Sequence, residues 1–234
     1  MNWRIHHKES TISTNLDAQK GRPGDVFTAD FQTAGRGRLD HKWMSEPGEN
    51  LMMSAVLDVE GLSPEHVVTI PLVVGLAVLR GLSPFISSSN VLSLKWPNDI
   101  LVDGRKLSGI LCERHGDCVI AGLGVNILQR KFAKEIENRA ISLSLLGSVP
   151  SVFEVRDAIL TSLGELYEVW CAQGFAALYP AIAASDYLRG QTLGVMQTDD
   201  DTAPVRGLCG GIQADGSLLV GGTSVYAGEA HVLL

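Results

Sequence analysis

The chain has 234 residues and a formal net charge of −7, from 19 lysines and arginines against 26 aspartates and glutamates. This length suits one medium domain, or one domain with a small appendage. Hydrophobic residues make up 45% of the sequence and charged residues 19%, a mixture typical of a globular chain rather than a disordered one. The acidic balance argues against duplex nucleic acid as the main partner, because proteins that bind it usually present a dense basic face.

The cysteines and the N-terminus predict a reduced, cytoplasmic setting. The four cysteines lie far apart without any Cys-x-x-Cys pair, which indicates neither a zinc site nor a disulfide framework. Residues 1–8 are too polar for a secretory signal. The most apolar stretch, Val67 to Leu82, contains Pro71 and Arg80 and is predicted to fall short of a membrane span. We therefore expect a soluble protein without a membrane partner.

The first predicted element is a short helix over residues 10–20, where serine or threonine can act as the N-cap. A second helix should begin at Ser63, which precedes proline and glutamate, and run to about residue 82 with a bend near Pro71. Short apolar runs bounded by turn residues predict strands over 26–32, 51–57, 91–95, 100–102, 105–113 and 118–127. An Asp-Gly pair at 103–104 favours a tight turn between two of them.

The pattern of apolar residues changes in the last third of the chain. Helical spacing over 152–171 and 175–184 is followed, after Asp186, by short β-like runs over 192–196, 205–212, 217–220 and 224–233. About fifty residues with short, turn-bounded strands suggest a small closed β-barrel. We therefore expect an α+β protein: a mixed sheet backed by helices in residues 1–185, followed by a barrel domain in residues 186–234.

The first motif with candidate chemistry is Gly35-Arg36-Gly37-Arg38. Its glycines let the backbone approach a ligand closely, and its arginines offer forked donors for phosphate or carboxylate. The motif is neither a Walker loop nor a dinucleotide fingerprint. An ordinary solvated loop with surface arginines explains this tetrapeptide equally well.

Three further motifs follow, each of which also has a plain structural explanation. Lys95-Trp96-Pro97-Asn98-Asp99 leaves a strand and suits a turn. In Arg105-Lys106-Leu107-Ser108-Gly109-Ile110-Leu111, a period of two would place Lys106, Ser108 and Ile110 on one face. Gly122-Leu123-Gly124-Val125-Asn126 puts glycines inside an apolar strand, which suggests close approach by a ligand or by another backbone.

In their order and combination these motifs closely resemble the successive signatures of biotin–protein ligases, beginning with Ser13-Thr14-Asn15 and continuing through the glycine-arginine loop with Lys42-Trp43. The resemblance covers nearly the whole chain and extends into the tail through Gly210-Gly211-Ile212, residues 216–219 and Ala227-Gly228-Glu229. It implies the biotin ligase catalytic fold, which is similar to class II aminoacyl-tRNA synthetases, with an SH3-like barrel at the C-terminus.

The resemblance also implies an activity. Biotin and ATP, with Mg²⁺, would form biotinyl-5'-AMP, and biotin would then pass to a lysine of the biotin carboxyl carrier domain of a biotin-dependent carboxylase. Biotin contacts are implied for Ser13, Thr14, Asn15, Gln32, Gly35, Arg36, Gly37, Arg38, Lys106 and Gly109. ATP contacts are implied for Arg38, Lys42, Trp43, Asn98, Lys106 and Asn126. No residue is implied as a metal ligand.

Four of these residues are candidates for catalysis. The negative charges of the biotin carboxylate and the ATP phosphates would be neutralised by Arg36, Arg38 and Lys106. Asp99 would orient or deprotonate the amine of the acceptor lysine. A turn cap explains Asp99 nearly as well. Trp43 would anchor a lid formed by residues 33–50, or belong to the ordinary core. Asn126 is better explained as fixing a strand end beside the nucleotide than as a group that reacts.

Two departures from the family pattern affect these expectations. Leu39-Asp40-His41 stand where many relatives carry further basic residues and glycine, so adenylate retention should be weaker or more dependent on pH. Leu233 stands where some relatives carry arginine, which puts a contribution of the barrel to ATP binding in doubt.

Several alternatives remain open at this point. The Ser-Thr-Asn motif comes too early to leave room for a preceding helix-turn-helix, so a monofunctional ligase is expected rather than a transcriptional repressor. Lipoate ligases and octanoyltransferases share the broader fold and are the nearest enzymatic alternative. A non-catalytic biotin-binding module is the alternative from another class. The chain could be a monomer or a homodimer.

Overall fold

The computed structural model describes residues 1–38, 43–196 and 204–233 and contains two β-sheets. The strands of the larger sheet are β1 (Arg4–Thr11), β2 (Asp25–Gln32), β3 (Asn50–Asp58), β4 (Leu92–Lys95), β5 (Asp99–Val102), β6 (Arg105–His115) and β7 (Cys118–Asn126). Their spatial order is β1-β2-β3-β7-β6-β5-β4. Strands β1 and β2 are parallel and the other neighbours antiparallel. The prediction of a mixed sheet is confirmed.

Helices cover both faces of this sheet. They are α1 (Thr14–Ala18), α2 (Pro64–Val67), α3 (Ile70–Leu82), α4 (Val152–Gln173) and α5 (Tyr179–Ala184). Helices α3 and α4 pack together over the face to which Met53, Ala55 and Leu57 point. Alternation along β3 sends Val56 to the opposite face, where it meets Ala18 of α1. The face that carries α1 is only partly covered, and this leaves room for a pocket.

The helix predicted over 10–20 is wrong at its start, because residues 10 and 11 belong to β1. Strand β1 is exposed along almost its whole length, so its sequence lacks the apolar alternation by which strands are predicted. Backbone pairing with β2 makes it a strand. The single helix expected from Ser63 to about residue 82, with a bend near Pro71, is instead interrupted before that proline. Helix α2 ends at Val67, and α3 begins at Ile70 with Pro71 in its first turn.

The smaller sheet contains β8 (Thr192–Met196), β9 (Val205–Ile212), β10 (Leu218–Val220), β11 (Thr223–Val225) and β12 (Glu229–Val232), in the order β11-β10-β9-β8-β12. Within the described residues, β11 and β12 form opposite edges and do not pair, so the prediction of a closed barrel is wrong. The indole N–H of Trp96 donates to the Gly216 carbonyl oxygen at 3.1 Å, and one apolar core is continuous between the two sheets. The domain boundary at residue 186 stays a prediction.

The segment Pro64–Phe85 contains an 18-residue window with a mean hydropathy of 1.8 and, by length and composition, could cross a membrane. The expectation that it falls short is therefore wrong on those two criteria. However, 67% of its apolar window is buried inside the fold, where α3 packs against α4 and the sheet. Its hydrophobicity is explained by this central position in the core.

Asp25, at the start of β2, attaches the exposed strand β1 to the sheet. Its carboxylate accepts hydrogen bonds from Arg4 Nε at 2.8 Å and from the Arg22 backbone N–H at 2.9 Å, and lies 3.1 Å from His6 Nε2. Burial raises the pKa of this carboxyl, but the hydrogen bonds outweigh burial and lower the pKa to about 2. The carboxylate therefore stabilises the fold at neutral pH, and this contribution is lost as the pH falls from about 4 to 2.

We expect Asp25→Asn to lower the free energy of unfolding at pH 7 by about 2 kcal/mol. The difference from the unsubstituted protein should shrink as the pH approaches 2, because the native carboxyl is then protonated as well. Urea unfolding of both proteins at pH 7, 4 and 2.5 measures this. A difference that does not change with pH would contradict the assignment.

Candidate active site

A pocket with a volume of about 130 Å³ opens on the α1 face of the large sheet. Most of the residues predicted for the site line it: Ser13, Thr14, Asn15, Gln32, Arg36, Gly37, Arg38, Trp43, Asn98, Asp99, Lys106 and Gly109. Two predicted residues do not. Gly35 lines an adjoining cavity, and Asn126 is buried, with 5% of its surface exposed. Lys42, together with Leu39-Asp40-His41, lies outside the described residues.

The floor of the pocket is made of glycines on neighbouring strands. Gly109 of β6 pairs with Gly124 of β7, and Gly122 of β7 pairs with Ser54 of β3. A side chain at Gly124 would meet the Trp43 ring, because a Cβ there would lie 2.3 Å from Trp43 Cε2. These glycines therefore allow flat groups to lie directly on the backbone of the sheet.

Trp43 lies on this glycine floor. A Cβ at Gly109 would lie 3.1 Å from its Cζ3 atom, and Lys106 Nζ lies 5.9 Å from the ring centroid. Its indole N–H is buried and has no hydrogen-bond partner among the described residues. A buried donor without a partner is costly, so Trp43 is suited to donate to a bound ligand.

The three predicted cations converge on the pocket, each beside an oxygen of the protein. Lys106 Nζ lies 2.7 Å from Asp99 Oδ1, although the geometry is not that of a hydrogen bond. Arg36 Nη1 lies 3.2 Å from Glu113 Oε1. Arg38 Nη1 donates to the Gly228 carbonyl oxygen at 3.1 Å. Burial lowers the pKa of Arg38, but a guanidinium remains charged at any physiological pH.

The position of Lys106 corrects the expected strand register. The pairing of β5 with β6 shifts between Ile100 and Leu101, which breaks the period of two along β6. Lys106 Nζ consequently lies beside Gly109, 3.1 Å from where a Cβ would be, whereas Ile110 Cδ1 would lie 3.8 Å from a Cβ at Gly75 of α3, on the core face. The prediction that Lys106, Ser108 and Ile110 share one face is wrong.

The polar residues at the closed end of the pocket form a continuous network. The Thr14 backbone N–H donates to Gln32 Oε1 at 2.7 Å. Ser54 Oγ lies 2.7 Å from Thr14 Oγ1 and donates to Asn15 Oδ1 at 2.6 Å. Asn15 Nδ2 in turn donates to Glu113 Oε2 at 2.7 Å. The sequence did not predict Ser54 or Glu113 as site residues, because both lie outside the motifs that were assigned a role.

Lys95 was also missed, although it opens the Lys-Trp-Pro-Asn-Asp motif. It lines the pocket, and its ammonium has no hydrogen bond or ion pair with the residues that the structure describes. Burial lowers its pKa, Asp99 and Glu229 act in the opposite direction, and Lys106 adds to the lowering. The small sheet forms part of the pocket wall through Glu229 and Ala230. It therefore contributes to the site, although Leu233 stands where some relatives carry arginine.

The two asparagines that were predicted to contact ATP hold the surrounding backbone. Asn98 ends a turn between β4 and β5 that contains a cis Trp96-Pro97 bond, and its Nδ2 atom donates to the Ile110 carbonyl oxygen of β6 at 2.7 Å. Asn126 Nδ2 donates to the Ile141 carbonyl oxygen at 3.0 Å. This arrangement agrees with the interpretation of Asn126 as a residue that fixes a strand end.

Comparison with known proteins identifies the family. The family model described as the biotin/lipoate A/B protein ligase family matches residues 4–126. A biotin–[acetyl-CoA-carboxylase] ligase of Paracoccus denitrificans is 30% identical over 226 residues, which cover 91% of this chain and 92% of that protein. The corresponding ligase of Mycobacterium tuberculosis is 32% identical over 201 residues, which cover 82% and 73%.

Solved structures and longer relatives agree with this. A biotin protein ligase from Aquifex aeolicus in complex with biotin and ATP superimposes with a TM-score of 0.86 at 27% identity, over 98% of each chain. The bifunctional ligase/repressor BirA of Bacillus spizizenii is 35% identical over 128 residues, and the match spans 52% of this chain but only 38% of that protein. The chain therefore belongs to the biotin/lipoate A/B protein ligase family, and its relatives in that family are biotin–protein ligases.

Proposed function

We propose that this protein is an ATP-dependent biotin–protein ligase. It joins biotin to ATP as biotinyl-5'-AMP and then transfers the biotinyl group to a lysine of a biotin carboxyl carrier domain. The observation that carries the proposal is the convergence of two arginines of the glycine-arginine loop, Arg36 and Arg38, with Lys106 of β6 on one pocket with a glycine floor. Such a site suits a flat, partly apolar ligand that ends in an anion.

The first half-reaction brings two anions together. The biotin carboxylate attacks the α-phosphorus of ATP and pyrophosphate leaves. Two like unit charges ~4 Å apart repel by about 4 kcal/mol at an effective dielectric near 20. In this proposal Lys106 neutralises the carboxylate and the adenylate oxygens, and Arg36 and Arg38 neutralise the phosphates. Lys106 and Arg38 exchange their present protein partners for ligand oxygens, whereas Arg36 keeps its pair with Glu113 and offers its remaining N–H groups to the ligand.

The closed end of the pocket is proposed to hold the ureido ring. Ser13 is 2% exposed and its hydroxyl makes no hydrogen bond with the described part of the chain, so it is free to bind a ureido oxygen or N–H. Gln32 has its amide oxygen engaged by Thr14 and offers its N–H₂ group. In contrast, the amide of Asn15 is engaged within the protein, so we assign Asn15 to the framework of the pocket.

The second half-reaction requires a neutral lysine amine, whose ordinary pKa is about 10.4. Asp99 is proposed to accept a hydrogen bond from that amine. In the free protein Asp99 contacts Lys106, and it becomes available when Lys106 turns to the adenylate. Trp43 is proposed to close over the ligand and keep water from the mixed anhydride.

Magnesium is proposed to arrive with ATP. In the described portion of the chain no three His, Cys, Asp or Glu side chains form a cluster that could hold a metal ion. Mg²⁺ commonly binds substrate phosphates and water with one or two carboxylates, a mode that needs no such cluster. We further propose a cytoplasmic enzyme, a C-terminal SH3-like unit beginning near residue 186, and no nucleic-acid partner.

Two assays test the function. Biotin-dependent exchange of labelled pyrophosphate into ATP should occur with Mg²⁺, and a biotin carrier domain should become biotinylated on a streptavidin blot. Lipoate or octanoate in place of biotin tests the enzymatic alternative, and activity with either of these but not with biotin would replace the proposal. Biotin binding without any exchange would indicate a non-catalytic module.

Arg38→Ala is expected to speed dissociation of biotinyl-5'-AMP about tenfold or more, because a charge-assisted contact to the phosphate is lost. The fold should persist, since the contact that is lost within the protein is a hydrogen bond to Gly228. Release of labelled adenylate into excess unlabelled ligand measures the rate. An unchanged rate, with an unchanged melting temperature, would remove Arg38 from the site.

A further inference from the structure

Glu113 of β6 connects two parts of the pocket without lining it. Its Oε1 atom lies 3.2 Å from Arg36 Nη1, and its Oε2 atom accepts from Asn15 Nδ2 at 2.7 Å. Arg36 belongs to the glycine-arginine loop, whereas Asn15 belongs to α1. One carboxylate, carried by an interior strand of the sheet, therefore contacts both the loop and the helix.

The hydrogen bonds around Asn15 indicate that Glu113 orients the Asn15 amide. The Asn15 amide donates to Glu113 Oε2 and to the Leu111 carbonyl oxygen, and its own oxygen accepts from Ser54 Oγ. Because an ionised carboxylate only accepts, Glu113 determines which end of the amide faces β6. The amide packs directly on Gly122, where a Cβ would lie 2.0 Å from Asn15 Oδ1.

The ion pair with Arg36 positions the guanidinium rather than stabilising the fold. The side chains of Arg36 and Glu113 are 47% and 27% exposed, and ion pairs between side chains with that degree of solvent exposure add little to the free energy of unfolding. However, a long arginine side chain has many rotamers. Holding it in one of them at the pocket edge places the guanidinium before the ligand arrives.

We infer that Glu113 is a positioning residue for the adenylation step: its carboxylate sets the Arg36 guanidinium relative to the biotin end of the pocket, and Ser54 and Asn15 continue this arrangement to Thr14. The inference rests on the proposed ligase function. Glu113 does not line the ligand pocket, so it acts through Arg36 rather than on the substrates.

A double-mutant cycle tests the inference. The proteins are the unsubstituted chain, Glu113→Gln, Arg36→Ala and the double variant, and the measured quantity is kcat/KM for biotin in pyrophosphate exchange. Glu113→Gln should lower kcat/KM at least tenfold when Arg36 is present, and less than threefold in the Arg36→Ala background. Glu168→Gln, at an exposed carboxylate that pairs with the N-terminal ammonium, is the matched control and should leave kcat/KM unchanged.

The outcomes separate the two proposals. If the unsubstituted protein shows no biotin-dependent exchange, the ligase function fails and the inference falls with it. If exchange is normal but the losses from Glu113→Gln and Arg36→Ala multiply, the role of Glu113 is merely structural and only the inference is overturned. Should Glu113→Gln fold poorly, Glu113→Asp retains the charge but not the reach, and the same dependence on Arg36 is expected of it.

Discussion

Lys106→Ala is expected to lower kcat for biotin-dependent pyrophosphate exchange by about 10³-fold, because a preorganised group that stabilises developing charge contributes on this scale. Lys106 has the position for that task. Its ammonium lies 2.7 Å from Asp99 and beside the glycine floor, where its Nζ would be 3.1 Å from a Cβ at Gly109. Without it, the biotin carboxylate meets the α-phosphate with one fewer neutralising cation.

The control for this experiment is Lys8→Ala. Lys8 also pairs with an aspartate at 2.8 Å, Asp17, but on the exposed strand β1. Both substitutions remove a lysine that pairs with an aspartate, but the Asp99 Oδ1 atom is buried whereas the Lys8–Asp17 pair is exposed. Lys8→Ala should therefore change the free energy of unfolding by about 1 kcal/mol or less, and a melting curve of Lys106→Ala shows that this variant is folded. Only Lys106→Ala should lose exchange activity. Equal activity in the two variants would exclude Lys106 from the reaction.

Gly124→Ala is expected to lower kcat/KM for biotin by about 100-fold or more, since a group displaced by 1 Å can already cost that factor. A Cβ at this position would lie 2.3 Å from Trp43 Cε2 and 2.8 Å from its Nε1, closer than carbon atoms can approach. The added methyl group excludes whatever flat group lies on the floor, be it the Trp43 indole or a biotin ring. Isothermal titration with biotin, together with exchange kinetics, measures the loss.

The matched control is Gly164→Ala in α4. A Cβ there would be no closer than 3.6 Å to another atom, and alanine favours a helix more than glycine does. Gly164→Ala should therefore keep full activity and gain slightly in stability. If Gly124→Ala bound biotin as tightly as this control, the glycine floor would not be part of the ligand site.

Some parts of the site were predictable because chemistry and position lie within one short motif. The glycine-arginine loop predicts a backbone that can approach a ligand closely and side chains with forked donors, and both arginines line the pocket. Lys106 was identified for the same reason. Its neighbours on the strand were placed wrongly, because the register shift opposite Ile100 and Leu101 arises from pairing between strands and leaves no mark in the local pattern.

Local sequence determined where most strands and helices form, since apolar periodicity, proline and Asp-Gly act over a few residues. Only the tertiary structure decided that β1 is a strand and that the small sheet stays open among the described residues. It alone decided that Glu113 meets Asn15, 98 residues away in the chain, and Arg36. Contacts of that kind depend on which strands lie side by side, and strand order is set by packing of the whole chain rather than by any one segment.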